Sequence, residues 1–305
     1  MQIRGCGSRG PDLTVIGYGA WEAGGDAWGP NASETAVVEA MRAGLDAGIN
    51  WIDTAEVYGN GVSEGLVGKA VAGRREEVIV ASKAAPAPEG SGFRPEQIRA
   101  ACDASLARLG IDVIDLYQLH WPDETIPVEE AWGTMAELQT EGKARWIGVS
   151  NFDREQIERC LALRHVDSLQ QEFSMVTLED RELIAWCGQV GVGVISYSPL
   201  GAGLLTGAIG PDTTFAHGDW RLTEGQNLFG PEHLPRHLAL LEALRPIAER
   251  LGIGLAQLAL AWNIAQAGVT AAIAGSRNPT HVRANAQAGD IVLDGETLQA
   301  IEALL

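Results

Sequence analysis

Eight short apolar runs recur along this chain, and a longer stretch with amphipathic character follows each of them. The runs occupy residues 13–18, 49–53, 78–83, 114–120, 145–151, 168–172, 192–198 and 269–276. Each is rich in Val, Ile, Leu or aromatic residues, and most are almost unbroken by polar ones. A strand with one wet face alternates apolar and polar residues, whereas a strand covered on both faces does not. The runs therefore predict parallel strands buried between other elements. The stretches between them read as helices. In PEQIRAACDASLARLG, Ile98, Cys102, Leu106 and Leu109 share one face, with Arg99, Asp103 and Arg108 away from it. Ser33 and Asp153 stand where helices begin and suit N-caps.

Eight such units without a topological break predict a (β/α)8 TIM barrel, an α/β fold. A doubly wound open sheet also alternates strand and helix, but the regular repetition favours the barrel. The interval between the seventh and eighth runs is too long for one unit. It predicts an extended loop over residues 201–235 after strand seven, then helices over 238–251 and 256–267. No linker or low-complexity segment interrupts the chain, so residues 1–305 are expected to form a single domain.

Charge narrows the partners. The formal net charge is -18, which argues against nucleic acid or an anionic membrane, since both need a basic surface. Cys6, Cys102, Cys160 and Cys187 are scattered with no CxxC pair, so no zinc site or redox motif is expected. The N-terminal residues lack the apolar run of a signal peptide, and no stretch is long enough to span a bilayer. These readings predict a soluble cytoplasmic protein with reduced thiols and a small-molecule partner.

In a (β/α)8 barrel the chemistry sits where the strands end at their C-terminal side. Run two ends in Asp53, with Tyr58 five residues on; run three ends in Lys83; run four ends in His120. A free tyrosine has a pKa of about 10, and a nearby cation favours its phenolate. Lys83 supplies that cation, Asp53 holds Lys83, and Tyr58 becomes a general acid toward a carbonyl oxygen. His120 donates to the same oxygen and orients the substrate. That set suits carbonyl reduction by an external hydride donor. A lysine ending a buried run needs an anionic partner, and Lys83 is one of only three lysines beside nineteen arginines.

The segment GINWIDTAEVYGNGVSEGLVGKAV, with Asp53, Tyr58 and the Glu64-x-x-Val67-Gly68 spacing, resembles the most specific motif of the aldo-keto reductases. Lys83 and His120, in VIVASK and IDLYQLHWPD, match the family's lysine and histidine, and the resemblance runs from residue 4 to about 288. It implies an NADPH-dependent enzyme that moves hydride reversibly between nicotinamide and an aldehyde or ketone, with no Rossmann motif and no metal. It also implies that Ser150, Asn151 and Gln170 meet the nicotinamide carboxamide and that Tyr197 stacks on the ring. Ser198 and Leu200 should contact the pyrophosphate, and Gly275, Ser276, Arg277 and Asn285 the adenosine phosphate end. Phe173, His281 and Ala284 depart from common family residues. Arg277 can still clasp a 2′-phosphate bidentately at a helix N-terminus, which favours NADP over NAD. Two other readings share the scaffold: an NADPH-binding redox-sensing or regulatory subunit with little turnover, and an NAD-linked sugar or alcohol dehydrogenase.

Other features carry less. GAGLLTG, residues 201–207, has the wrong spacing for a dinucleotide fingerprint and reads as a cofactor-covering loop. His233 and His237 stand at i and i+4, but Pro235 lies between them, so a surface pair is expected rather than zinc ligands. Trp21, Trp28, Trp121 and Trp220 fall in mouth loops, and Trp21 and Trp121 are the expected pocket walls.

Overall fold

The computed structural model describes residues 1–25, 28 and 32–305. β1 (Ile3–Gly5) and β2 (Asp12–Thr14) form an antiparallel hairpin. Among the described residues, eight further strands pair in parallel. They are β3 (Ile16–Gly19), β4 (Trp51–Asp53), β5 (Ile79–Ala84), β6 (Ile114–Leu119), β7 (Ala144–Ser150), β8 (Ser168–Glu172), β9 (Gly193–Tyr197) and β10 (Val269–Ile273). They close into a barrel in chain order, with β10 beside β3. This is the (β/α)8 architecture that the eight apolar runs predict.

Six helices follow barrel strands in turn: α1 (Glu34–Asp46), α2 (Val62–Val71), α3 (Pro95–Leu109), α4 (Val128–Thr140), α5 (Arg154–Leu163) and α6 (Arg181–Gln189). After β9 the chain makes two 3-10 turns, Leu204–Thr206 and Trp220–Leu222, then α7 (Gln226–Phe229), α8 (Leu234–Leu251) and α9 (Leu255–Ile264). α10 (Pro279–Ala288) completes the last unit and α11 (Gly295–Glu302) follows it. The caps explain several starts. Ser33 Oγ accepts from the Ala36 amide at 3.3 Å, and Asp153 and Gln156 form a reciprocal capping box at α5.

The strands are apolar because both of their faces are covered. Between barrel and helices lie side chains such as Met41, Leu66, Ile98, Trp132 and Ile157, each contributing about 1.5–3 kcal/mol on burial. Inside the barrel, Trp51, Leu116, Ile195 and Ala271 pack with Leu13 and Cys6 of the hairpin. Trp51 needs a gap in β3. A Cβ at Gly17 would lie 2.1 Å from its ring, so glycine is required there. The hairpin stoppers this end. Arg4 donates to the Ile264 and Val269 carbonyls at 2.6 and 3.2 Å, and the Gln2 amide donates to Gly289 O at 3.2 Å.

Two expectations need correction, and one contact adds to a third. The run 13–18 is not one strand: the Thr14 amide donates to the Asn50 side chain, which turns the chain between β2 and β3. Arg108 lies away from the buried face of α3, as expected, and its Nε reaches Glu64 Oε2 on α2 at 2.6 Å. His233 and His237 are not a surface pair. α8 begins at Leu234, earlier than expected, and buries His237, whose Nδ1 lies 3.0 Å from Leu228 O.

Candidate active site

β4 ends at Asp53, and Tyr58 lies in the turn that follows. Lys83 is on β5, and His120 immediately follows β6, its amide donating to Ala84 O at 2.8 Å. Alternation along β5 decides where Lys83 points. Ser82 faces outward, donating to Glu64 on α2, so the next side chain turns inward. Lys83 is fully buried. Its Nζ donates to Asp53 Oδ1 at 2.6 Å, Thr54 O at 2.9 Å and Tyr58 Oη at 3.4 Å. An ammonium has three N–H donors, and all three are used. The second oxygen of Asp53 accepts from Gln170 Nε2 at 2.8 Å. A buried ion pair survives only when its remaining hydrogen-bonding capacity is met in this way.

The electrostatics follow from enclosure. Burial first, then Asp53, pushes the Tyr58 phenol well above its ordinary pKa. The expected lowering by Lys83 is thus outweighed, and Tyr58 holds its proton. Burial lowers Lys83, while Asp53 works against that shift. Burial, then the Lys83 charge, holds His120 well below the usual imidazole value, so its ring is neutral. Its Nδ1 is buried without a hydrogen-bond partner among the described residues. The ring stacks on Trp121 with centroids 3.7 Å apart and stands edge-on to Tyr58 at 5.7 Å.

The matched sequence decides what this barrel is. The model of the Aldo/keto reductase family matches residues 15–305. The chain belongs to the aldo-keto reductases. It is 34% identical over 313 residues to the aldo-keto reductase YhdN of Bacillus subtilis (strain 168), covering 100% of this chain and 94% of that one. It is also 34% identical over 301 residues to an NADH-specific methylglyoxal reductase of Escherichia coli (strain K12), covering 92% and 91% of the two chains. Among solved structures, a glycerol dehydrogenase from Gluconobacter oxydans superposes with a TM-score of 0.87 at 31% identity, covering 100% of this chain and 94% of the other. An aldo/keto reductase from Klebsiella pneumoniae in complex with NADP and acetate superposes with a TM-score of 0.75 at 33% identity, covering 96% and 92%.

In this aldo-keto reductase, the other residues singled out from sequence lie at or just after the C-terminal ends of barrel strands, apart from Asn285 on α10. Ser150 ends β7 and Asn151 follows it in a left-handed conformation, φ 61°. Asn151 Nδ2 donates to His120 O at 3.0 Å and Ser150 Oγ at 3.1 Å, while its Oδ1 accepts from Tyr197 Oη at 2.8 Å. Tyr197 ends β9 with its ring half-buried. Ser198 and Leu200 begin the loop beyond it, and the left-handed Ser198 (φ 50°) turns that loop away from the strand. Gly275, Ser276 and Arg277 lie between β10 and α10, and Asn285 is buried on α10. Pro279 opens α10, and the first turn of that helix carries no acidic residue.

Several contacts were not legible in the sequence. Gln170 is spent on Asp53. Trp28 and Trp220 join Trp21 in one aromatic cluster, with centroids 5.0 Å (Trp21–Trp28), 5.6 Å (Trp21–Trp220) and 6.2 Å (Trp28–Trp220) apart. Trp21 in turn lies 6.4 Å from the Tyr58 ring. Glu56, buried beside the site, pins the loop after β5 by accepting from the Ala85 amide and the Ser91 hydroxyl at 2.8 and 2.7 Å. Placing four aromatic residues in mouth loops was the one signal available for that cluster.

Proposed function

We propose that this aldo-keto reductase reduces a small aldehyde or ketone with NADPH, reversibly, with Tyr58 as the proton donor. The observation that carries the reading is the Lys83 ammonium, held by Asp53 and Thr54 O, 3.4 Å from the Tyr58 hydroxyl. The residues present fit a nicotinamide dinucleotide. Ser150, Asn151 and Tyr197 offer hydroxyl and amide groups and a partly open aromatic face at the mouth. Arg277 and the N-terminus of α10, whose first turn carries no acidic residue, suit the adenosine phosphate. Gln170 would serve the carboxamide through its Asp53-anchored position, and Ser198, Leu200, Gly275, Ser276 and Asn285 complete the channel.

The bound dinucleotide supplies the hydride. The chain does the rest. His120, neutral, donates a hydrogen bond to the carbonyl oxygen and fixes its orientation. Tyr58, kept protonated by burial and Asp53, gives its proton to that oxygen as charge develops. Lys83 stabilises the phenolate left behind, and Asp53 and Gln170 keep Lys83 in place. Trp21 and Trp121 flank Tyr58 and His120 and exclude water from the reacting oxygen. In the oxidative direction Tyr58 is the base.

Tyr58→Phe tests this. Turnover should fall by about 10²-fold or more, with the NADPH dissociation constant unchanged. Full activity in that variant sinks the mechanism. Tight NADPH retention with negligible turnover in the unaltered protein would turn the reading to a regulatory subunit.

A second reading, NADH as the reductant, has an observation in its favour: Arg277 already contacts an acidic residue, Glu22.

A further inference from the structure

Glu22 lies in the turn Trp21–Gly24 after β3, and Arg277 lies after β10, the strand hydrogen-bonded to β3. Neighbouring strands thus bring two residues from opposite ends of the chain together. Arg277 Nε is 3.5 Å from Glu22 Oε2, and one of its terminal nitrogens donates to Trp28 O at 2.6 Å. The two side chains are only 20% and 29% exposed. The carboxylate therefore takes up part of the guanidinium fork that an incoming phosphate would use. Glu22 depends on that contact. Burial raises its carboxyl, and Arg277 is the foremost group opposing the rise, ahead of Arg221 and His281.

We propose that Glu22 is a cofactor-specificity residue, whose carboxylate occupies Arg277 and must yield it to the 2′-phosphate of NADP(H) but not to NAD(H). The proposal rests on the reading of Arg277 as the residue that meets that phosphate. A 2′-phosphate is a dianion with acceptor oxygens spaced for the same bidentate fork. An approach to the Nε side of Arg277 displaces Glu22, and the phosphate then faces the displaced carboxylate at close range. A dinucleotide with a free 2′-hydroxyl has no such competitor and leaves the Glu22–Arg277 pair intact. The pair thus lowers the preference for NADP(H) below what Arg277 alone would give. Neither charge pattern nor spacing in the sequence signals this, because the two residues meet only on barrel closure.

The test is a double-mutant cycle on dissociation constants. NADPH and NADH are titrated, by quenching of tryptophan fluorescence, into the unaltered chain, Glu22→Gln, Arg277→Ala and the double variant. Glu22→Gln keeps the shape and removes the charge. It should tighten NADPH about 2- to 5-fold, the scale of a partly exposed ion pair, and NADH less than about 1.5-fold by the same scale. The gain should vanish in the Arg277→Ala background. An equal gain for both dinucleotides would overturn the proposal, because Glu22 would then oppose the pyrophosphate they share. So would no gain, or a gain that survives without Arg277. Arg277→Ala separates the two readings. If it weakens NADPH selectively while Glu22→Gln does nothing, the proposal alone fails. If it weakens both dinucleotides equally, the placement of Arg277 fails and the proposal falls with it.

Discussion

Lys83→Met should cost this protein far more stability than an ordinary lysine substitution. Methionine keeps the length of the stem but removes the ammonium. Asp53, 2% exposed, then retains the Gln170 hydrogen bond and loses its counter-charge. Breaking a buried pair by removing one partner costs about 3–5 kcal/mol. Unfolding entropy runs near 2.1 cal/mol/K per residue, so 305 residues give about 0.64 kcal/mol/K. A loss of about 4 kcal/mol should therefore lower Tm by about 6 °C. Asp53→Asn alone should also destabilise, because it leaves the ammonium unpaired. The double variant should recover much of the loss, since neither charge is then buried alone. Calorimetry on the four proteins checks this, with refolding verified after each scan. A Lys83→Met Tm within about 2 °C of the parent (little over 1 kcal/mol), or two single losses that simply add, would refute the account of a desolvated, mutually dependent pair.

Gln170→Leu should lower stability by about 1.5–3 kcal/mol, the worth of a hydrogen bond to a buried charge, and reduce turnover by loosening Asp53. A weakened dinucleotide affinity with unchanged Tm would instead confine Gln170 to the carboxamide, with no part in holding Asp53. The pH profile of kcat/KM for carbonyl reduction should be flat from pH 6 to 8, a window in which an ordinary histidine titrates near 6.5. His120 lies well below its usual value and stays neutral on lowering the pH, and Tyr58 lies well above 10 and stays protonated on raising it. An inflection near 6.5 that disappears in His120→Gln would contradict that assignment.

The barrel and the cluster of Asp53, Tyr58, Lys83 and His120 were legible because they rest on local signals. A run buried on both faces is apolar throughout, and a polar residue ending it lies at the mouth by the rule of the fold. Contacts between loops leave no such trace. Trp28 and Trp220 meet across a long stretch of chain, and Glu22 meets Arg277 only because β3 and β10 are neighbours in the closed barrel. Gln170 was placed at the correct strand end, but no pattern tells whether its amide turns to Asp53 or to a ligand. The break between β2 and β3 was hidden because 13–18 stays apolar while Asn50, far along the chain, intercepts Thr14. Burial likewise decided the Tyr58 shift against the simple effect of a neighbouring cation, and burial is a property of the folded mouth.

The hairpin that stoppers the barrel also sets an order of events during synthesis. Gln2 finds its acceptor at Gly289, Arg4 finds its own at Ile264 and Val269, and β3 pairs with β10. A chain growing from its N-terminus holds these partners in waiting while the intervening units assemble. Until residue 269 and its successors emerge, β3 is a sheet edge with unsatisfied amides and carbonyls, the kind of surface that recruits other strands. The seam between first and last strands is therefore where a nascent copy is most open to pairing with its neighbours, and its closure marks the moment that the catalytic mouth acquires a complete wall.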